Sequence, residues 1–386
     1  MKCMAIIVLL AALLAPVGSL RAAPQATATV GQVYHSKGDY GVHNGHDLVS
    51  QETTINTGAI RYGLKYNACW DKAHDAGAGY LEGYLGMPWP SSANWYHSGF
   101  LGLKINGIDL GATRMSDIWV AEQGERGTVK LYFDSPQAGV TVTAAAQAGD
   151  DRLFVGLLLN PKEEITSLDL RLVCYPSYFT YHNKREGDRR LLTATQTYKQ
   201  GEKPVLNPAQ QQWMAFYDTV FDPDKSEGDG GCAVAYLPEQ VEEIKADVGG
   251  YACISELKLN PQTRAIKLVF WDFNKVGNQA ALTRLAGVMP QTLEALRAYD
   301  WTPLAAARYD AALETETAKA QMGTLPGRDE LVKKLEAKAA EIVALKQEVA
   351  EGKSKEPGSV ERTLGERIRE FEALLWDVKF FVLIHG

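Results

Sequence analysis

The sequence predicts a mainly β fold, in which a large antiparallel β-sandwich is followed by a C-terminal helical hairpin region. Between about residues 27 and 273, short segments alternate apolar and polar residues and are separated by turn residues, a pattern typical of half-buried strands. Near the C-terminus, apolar residues recur every three or four positions, which is typical of amphipathic helices. Strands and helices do not alternate, so a parallel α/β sheet is excluded.

The composition is that of an ordinary globular protein. The chain has 386 residues, of which 46% are hydrophobic and 23% charged, and its formal net charge is −7. These values exclude long disorder and collagen-like repeats. The acidic balance and the lack of a large Lys/Arg block argue against nucleic acid as a partner. The length predicts one large domain and a smaller one, which we place at residues 24–280 and 281–386.

The N-terminal residues 1–23 are expected to be a secretory signal peptide. Met1 and Lys2 form a short positive segment, residues 5–17 are almost entirely apolar, and Ala22 and Ala23 suit a signal peptidase. The apolar run is shorter than the ~20 residues that a membrane-spanning helix needs. We therefore expect a secreted or periplasmic protein without a membrane span.

Four cysteines remain after this segment: Cys69, Cys174, Cys232 and Cys253. None belongs to a C-x-x-C pair, so a zinc ribbon or a thioredoxin-like site is not expected. An even number in an exported chain is compatible with disulfides. Two interpretations stay open, a local bridge between Cys232 and Cys253 or four buried free thiols.

Within the β region, strands are expected at residues 103–105, 128–133, 140–143, 153–155, 168–172 and 266–270. Asn106-Gly107 separates two apolar residues, Ile105 and Ile108. This dipeptide favours a type I′ hairpin turn because both of its residues tolerate positive φ.

After the β region, helices are expected at residues 290–300 and 303–322, with Thr302 as the cap of the second. Residues 328–382 contain two apolar stripes of similar length, interrupted at 352–358, and predict an antiparallel helical hairpin with Ser359 as a cap. The apolar end of the chain, residues 380–384, either docks against the sandwich or contacts a second copy. Homo-oligomers through the C-terminal helices are therefore one expectation.

Aromatic residues are concentrated between residues 62 and 100, where the accompanying residues are Gly, Pro, Asn, Asp and His rather than Lys and Arg. Sugars present apolar C–H faces that pack on aromatic rings, and their hydroxyls pair with such polar groups. Trp89, Trp95, Tyr96 and His97 are therefore candidate ligand-binding residues. The alternative is that these rings fill the core.

A second aromatic cluster follows a predicted strand and adds Tyr178, Tyr181 and His182 as candidate ligand-binding residues; the alternative is an ordinary structured loop. Its turn, Tyr175-Pro176-Ser177-Tyr178-Phe179, resembles one in the galactose mutarotase-like supersandwich proteins, and the resemblance extends over about residues 98–272. In that family a His-Pro-Tyr-Phe turn carries the catalytic histidine. Here Tyr175 precedes the proline and Ser177 is inserted, so the catalytic motif is not matched. The resemblance implies a carbohydrate-related fold.

An acidic segment offers one metal candidate. Asp222, Asp224 and Asp229 are spaced in part like calcium ligands, but Glu227 and Ala233 replace the glycine and glutamate of an EF-hand loop. A looser calcium site and a solvated acidic turn are the two interpretations. No other cofactor is expected.

The sequence contains no Walker A motif, nucleophile elbow, H-E-x-x-H or Rossmann glycine motif. We expect a secreted or envelope-associated carbohydrate-binding β-sandwich protein. One alternative is a carbohydrate-active enzyme on a supersandwich, either an epimerase, a lyase or a hydrolase. Another is an assembly protein that uses the helical hairpin. Spacing does not single out a catalytic residue.

Overall fold

Residues 24–37, 45–70 and 79–385 are described by the computed structural model of the chain. The predicted signal peptide lies outside these residues. Among them, two large antiparallel sheets pack face to face and helices follow. This architecture confirms the predicted mainly β sandwich with a C-terminal helical region.

The first sheet is built from strands of both halves of the β region. Its strands are β1 (Thr27–Lys37), β2 (Asp47–Asn56), β3 (Arg61–Trp70), β4 (Tyr80–Trp89), β5 (Leu101–Ile105), β6 (Ile108–Asp109), β11 (Leu168–Cys174), β14 (Val205–Leu206), β17 (Val241–Val248) and β18 (Cys253–Leu259). Their order is β1-β2-β3-β4-β5-β11-β18-β17-β14, with β6 paired to β5. β11 therefore pairs with strands that lie far from it in the sequence.

The second sheet contains the remaining strands. They are β7 (Met115–Glu122), β8 (Arg126–Asp134), β9 (Ala138–Gln147), β10 (Leu153–Pro161), β12 (Arg189–Thr193), β13 (Thr197–Lys199), β15 (Trp213–Asp218), β16 (Cys232–Tyr236) and β19 (Ala265–Asp272). Their order is β13-β12-β15-β16-β19-β10-β9-β8-β7. All the predicted strand segments fall within strands of the two sheets.

The core lies between the sheets and is formed by the apolar side chains that point inward from the strands. In β11, Leu168, Leu170 and Leu172 are buried in the core, whereas Asp169 and Arg171 point to the other face. Burial of such apolar side chains stabilises the fold by roughly 25 cal/mol per Å² removed from water. The predicted turn at Asn106-Gly107 is confirmed, with φ of 52° and 78° and β5 paired to β6.

Helix α2 (Asn278–Ala298) packs on the outer face of the second sheet. Its buried stripe is Ala281, Leu285, Met289, Leu293 and Leu296. The prediction of a helix beginning at residue 290 is wrong, because the helix starts at Asn278 and contains Pro290. Burial of the stripe on both sides of the proline outweighs the single backbone hydrogen bond that proline removes.

The other helices are α1 (Thr180–Asn183), α3 (Leu304–Arg308), α4 (Ala311–Met322), α5 (Arg328–Glu351) and α6 (Pro357–His385). The segment 303–322, predicted as one helix, is divided before α4, where the Asp310 carboxylate accepts a hydrogen bond from Leu313 N at 3.0 Å. α6 begins at Pro357, so Ser359 lies in its first turn and does not precede the helix as a cap.

Helices α5 and α6 lie antiparallel, since Lys338 pairs with Glu370 and Glu341 with Arg367. The pair joins α4 through an apolar cluster around Leu335, Ile342, Leu364, Phe371 and Val378. A buried ion pair links this helical unit to the second sheet, between Lys130 of β8 and Glu361 of α6.

The end of α6 does not dock against the sandwich, so that interpretation of residues 380–384 is wrong. The side chains of Phe380, Leu383 and Ile384 are 58%, 79% and 72% exposed. Contact between copies through this end stays a prediction. Within the described chain, every helix is too short or too polar to cross a bilayer.

Of the described cysteines, Cys174, Cys232 and Cys253 are buried free thiols, as in the second of the two interpretations, and Cys69 is buried as well. Cys253 lies opposite Cys174 in the first sheet, whereas Cys232 belongs to the second sheet. The local bridge between Cys232 and Cys253 would therefore have to cross the sandwich.

Candidate functional site

A groove of about 710 Å³ opens on the outward face of the first sheet. Its volume falls within the range of small-molecule sites, about 300–1,000 Å³. The groove begins where β4 and β5 diverge, since their register consists of Leu85 opposite Leu101. It then runs across β11, β18 and β17.

A 3-10 turn at Leu110–Ala112 bounds the groove beside β4. Gly111 packs so closely there that an added Cβ would lie 2.4 Å from the Gly83 carbonyl oxygen. The Tyr80 hydroxyl donates to the Gly111 carbonyl at 2.7 Å, and Tyr66 Oη accepts from Met115 N at 3.1 Å. These contacts hold the turn against the sheet.

The groove combines an apolar floor with a polar rim. Leu85, Leu101, Leu103 and Phe133 are buried core residues that also line it. The polar lining residues are Glu82, Tyr84, Lys104, Asp109, Asp169, Arg171, Glu243, Lys245, Glu256 and Lys258. Such a combination of apolar surface and placed polar groups is typical of a ligand site.

Opposite charges alternate in both directions across the rim. One row across the strands is Gly102, Arg171, Glu256 and Lys245, and the next is Lys104, Asp169, Lys258 and Glu243. Neighbours along each of β11, β18 and β17 also differ in sign, because residues two apart share a face. The face therefore presents a checkerboard of hydrogen-bond donors and acceptors.

Not all of these charges are paired. Lys245 binds Glu243 and Lys258 binds Glu242, both at 2.9 Å. In the part of the chain that the structure describes, Lys104, Asp169, Arg171 and Glu256 form no ion pair within 4.0 Å and no side-chain hydrogen bond. These four residues, here called the unpaired quartet, line the groove with polar groups that a ligand can engage.

The two predicted aromatic clusters meet at one end of the same face. The rings of Tyr96 and Tyr175 are 4.8 Å apart, and those of His97 and Phe179 are 5.7 Å apart. The cluster packs on Val173 and Ile254. These residues lie two positions beyond Arg171 and Glu256 on β11 and β18, so the cluster borders the checkerboard.

His97 is held in this cluster by a loop that crosses β4. An added Cβ at Gly86 would lie 1.7 Å from the His97 carbonyl oxygen. Burial lowers the pKa of His97, against the hydrogen bond to the Ser92 carbonyl, and the nearby Lys65 ammonium lowers it further. His97 Nδ1 lies 3.1 Å from the Ser92 carbonyl oxygen. Since a carbonyl only accepts, Nδ1 carries the proton of the neutral ring and Nε2 is the acceptor.

Trp89 lies on the outward face of the first sheet, and its role in ligand binding stays a prediction. Its indole lies over Gly63, where an added Cβ would approach Cδ1 to 2.6 Å. The ring is 45% exposed and its Nε1 donates to Glu52 Oε1 at 2.9 Å. The Arg61 guanidinium lies 5.4 Å from the ring centroid.

Trp95 is a core residue, so the prediction that its ring meets a ligand does not fit its position. The side chain is 0% exposed, and its Nε1 donates to the Trp271 carbonyl at 2.9 Å. Its ring packs edge to face on Phe270 with centroids 4.9 Å apart. The core interpretation of the aromatic residues therefore holds for Trp95.

Of the three candidates in the second cluster, only His182 and Tyr181 are close to the meeting point. Tyr181 is 71% exposed and packs against Tyr251 and His182. Tyr178 instead stacks on Phe221, with centroids 4.3 Å apart, under the Arg185 guanidinium. Tyr178 is thereby directed to another part of the loop region.

The acidic candidates act as local hydrogen-bond acceptors. Asp222 accepts from the backbone N–H groups of Asp224 and Asn278, at 3.2 and 3.1 Å. Asp229 accepts from Ser91 Oγ and Lys275 Nζ. Among residues 24–37, 45–70 and 79–385, no group of three or more metal-ligating side chains converges. The calcium site stays a prediction.

Sequence reasoning missed the groove residues, Arg171 and Gly102 among them. The available signal was the alternation of charged and apolar residues in 168–172 and 254–259. From the sequence alone, the charged positions are interpreted as a solvated face. The pairing of β5, β11 and β18 is what brings them together.

Comparison with known proteins gives a likeness of fold only. No family model and no curated protein matches the chain. Similar solved structures include a protein described as an aldose 1-epimerase of Klebsiella pneumoniae subsp. pneumoniae, with 10% identity and a TM-score of 0.35 over 70% of this chain and 96% of that one.

Two larger proteins are also similar. One is a glycosyl hydrolase family 38 protein of Enterococcus faecalis, with 8% identity and a TM-score of 0.37 over 71% of this chain. The other is an α-N-acetylgalactosaminidase of Bifidobacterium bifidum, with 10% identity and a TM-score of 0.38 over 69%. The chain spans 41% of each. The likeness to these three solved structures is weak in both sequence identity and TM-score.

Proposed function

We propose that the protein binds a carbohydrate in the groove on the outward face of the first sheet. The observation that carries this proposal is the unpaired quartet, Lys104, Asp169, Arg171 and Glu256, in a groove of about 710 Å³. A sugar hydroxyl both donates and accepts hydrogen bonds. Lys and Arg only donate and carboxylates only accept, so an alternating array suits neighbouring hydroxyls.

Other ligand classes fit the groove less well. An apolar ligand would cover the four charged groups and remove their hydrogen bonds to water without supplying new ones. This loss costs free energy. A nucleic acid would meet the carboxylates Asp169 and Glu256 as closely as the cations. The apolar floor and the Tyr84 ring instead offer surface for the C–H faces of a sugar. With export as the sequence predicts, the ligand would be an extracellular or envelope glycan.

Gly102 offers a way to block the groove without disturbing the protein. An added Cβ there would have its nearest contact, Arg171 Cβ, at 4.0 Å. Gly102→Phe is therefore expected to fold and to fill the groove. Gly287→Phe is the matched control, since Gly287 lies on the exposed side of α2 with nothing within 4 Å of an added Cβ.

The test is a glycan array probed with wild type, Gly102→Phe and Gly287→Phe at equal folded concentration. We expect wild type and Gly287→Phe to retain the same glycans and Gly102→Phe to lose them. Retention of those glycans by Gly102→Phe would overturn the groove as the site. Binding of no glycan by wild type would overturn the function.

A carbohydrate-active enzyme is the second candidate, and His97 favours it. A neutral imidazole with a free Nε2 acceptor can remove a proton from a sugar. His97 is two residues from Gly99, which lines the groove. If the bound sugar is turned over, NMR of the sugar mixture should show conversion by wild type and none by His97→Gln. Conversion at an unchanged rate by His97→Gln would reject His97 as the base.

A further inference from the structure

We propose that the groove selects a saccharide that carries a carboxylate, such as a uronic acid, and that Arg171 and Lys104 hold this group. The proposal rests on the proposed carbohydrate binding and names the class of sugar.

Arg171 has open space on one side. It lies opposite Gly102 of β5 and opposite Glu256 of β18. Because Gly102 has no side chain, the position across from Arg171 on β5 is vacant. A ligand in that space lies next to Arg171, while Glu256 lies one strand further away. The vacant position therefore favours a negative group.

Lys104 borders the same space. It is two residues along β5 from Gly102, and its register partner on β11 is Asp169. Lys104 and Arg171 are thus diagonal neighbours on adjacent strands. Such neighbours are about 7–8 Å apart and within reach of each other's long side chains. One carboxylate placed between them can contact both.

Two neighbouring cations of the same face each have a carboxylate partner. Lys245 and Lys258, on the same face, each bind a glutamate at 2.9 Å. Within the described residues, Arg171 and Lys104 form no such pair, although carboxylates stand opposite both. Their charges stay available for a ligand.

A carboxylate is a good match for this pair of cations. The planar guanidinium forms two parallel hydrogen bonds with a planar carboxylate. Asp169 and Glu256 line the same groove and repel further negative charge. The groove should therefore accept one carboxylate among hydroxyls rather than a densely charged chain.

The test compares a uronate-containing oligosaccharide with the same oligosaccharide after reduction of its carboxyl groups. Affinities are measured by calorimetry for wild type, Arg171→Gln and Lys203→Gln. We expect wild type to bind the acidic form at least about tenfold more tightly, as one charge-assisted pair of hydrogen bonds implies. Arg171→Gln should lose the preference. Lys203→Gln, which removes a cation paired with Asp247 outside the groove lining, should keep it.

Each other outcome counts against the proposal. Equal affinity of wild type for the acidic and the reduced oligosaccharide would overturn it. If Gly102→Phe abolishes the binding of both, carbohydrate binding in the groove still stands. A sulfated analogue that binds as tightly as the uronate would overturn the assignment to a carboxylate. If wild type binds neither form nor any other saccharide, the proposed function itself fails.

Discussion

Arg171 of β11 lies directly opposite Gly102 of β5, so a charged side chain faces a position without one. An added Cβ at Gly102 would be 4.0 Å from Arg171 Cβ, and no other atom would be closer. The space is thus created by the sequence of β5 and bounded by the pairing of β5 with β11. Because Gly102 has no side chain, the charged face of the sheet has an open space beside Arg171.

Breaking the buried ion pair between Lys130 and Glu361 should destabilise the protein strongly. Both side chains are less than 10% exposed, and Glu361 also accepts from Trp119 Nε1. Glu361→Gln would leave the Lys130 ammonium buried without a counter-charge, at a cost of about 3–5 kcal/mol. Urea unfolding of the variant measures this loss.

The exposed pair Lys245 and Glu243 is the matched control. Glu243→Gln should change the free energy of unfolding by no more than about 1 kcal/mol. Equal small effects of Glu361→Gln and Glu243→Gln would show that the helical unit does not depend on the buried pair.

Trp95 and Trp89 should behave oppositely on truncation. Trp95→Ala removes a fully buried ring that packs on Phe270 and should cost about 3–5 kcal/mol of stability. Trp89→Ala removes a ring that is 45% exposed, and its cost should stay within about 1 kcal/mol. Thermal unfolding of the two variants measures the two losses of stability. A larger loss for Trp89→Ala than for Trp95→Ala would contradict the assignment of Trp95 to the core and Trp89 to the surface.

Asp272 should make stability depend on pH. Burial raises the pKa of this carboxyl to about 7, against the hydrogen bonds it accepts from Asn94 and Ser91. The folded protein then binds this proton more tightly than the unfolded chain, in which an aspartate titrates near 3.9. Its contribution is full below about pH 4 and is lost as pH rises towards 7, by up to about 1.4 kcal/mol per unit.

Asp272→Asn removes this titration. Denaturant unfolding between about pH 4 and pH 7 should therefore give a flatter stability profile for the variant than for wild type. Parallel profiles for the two proteins would show that Asp272 does not titrate in this range.

Gly86 and Gly102 should respond differently to a methyl group. At Gly86 an added Cβ would meet the His97 carbonyl oxygen at 1.7 Å, so the backbone has to move. Gly86→Ala should displace the loop that carries His97 and cost roughly 1–3 kcal/mol. Gly102→Ala has room and should stay near wild type. Unfolding measurements on both variants check this, and equal stability would contradict the close approach.

The strands were predictable because their alternation is local. The turn at Asn106-Gly107 was predictable for the same reason, since its conformation depends on two residues that tolerate positive φ. The helix start predicted at Pro290 was wrong because the local preference of proline for the first turn is outweighed by the apolar stripe that α2 buries on the second sheet. Tertiary packing decided that boundary.

The candidate site was predictable only in part. Tyr96, His97, Tyr181 and His182 were singled out by composition, and the structure brings them near one end of the groove. Composition could not separate Trp89 from Trp95, because only the packing of the loop on Phe270 buries the second ring. Arg171 and Gly102 are distant in sequence, and no local pattern places them opposite each other.

In the proposed complex, a sugar binds between Gly102 and the unpaired quartet. The decisive measurement is a crystal structure of the protein with a glycan retained on the array. We expect a sugar ring over the vacant position at Gly102, with hydroxyl or carboxylate oxygens within hydrogen-bonding distance of Arg171. A sugar bound at the helical hairpin, or on Trp89 with the groove empty, would contradict it.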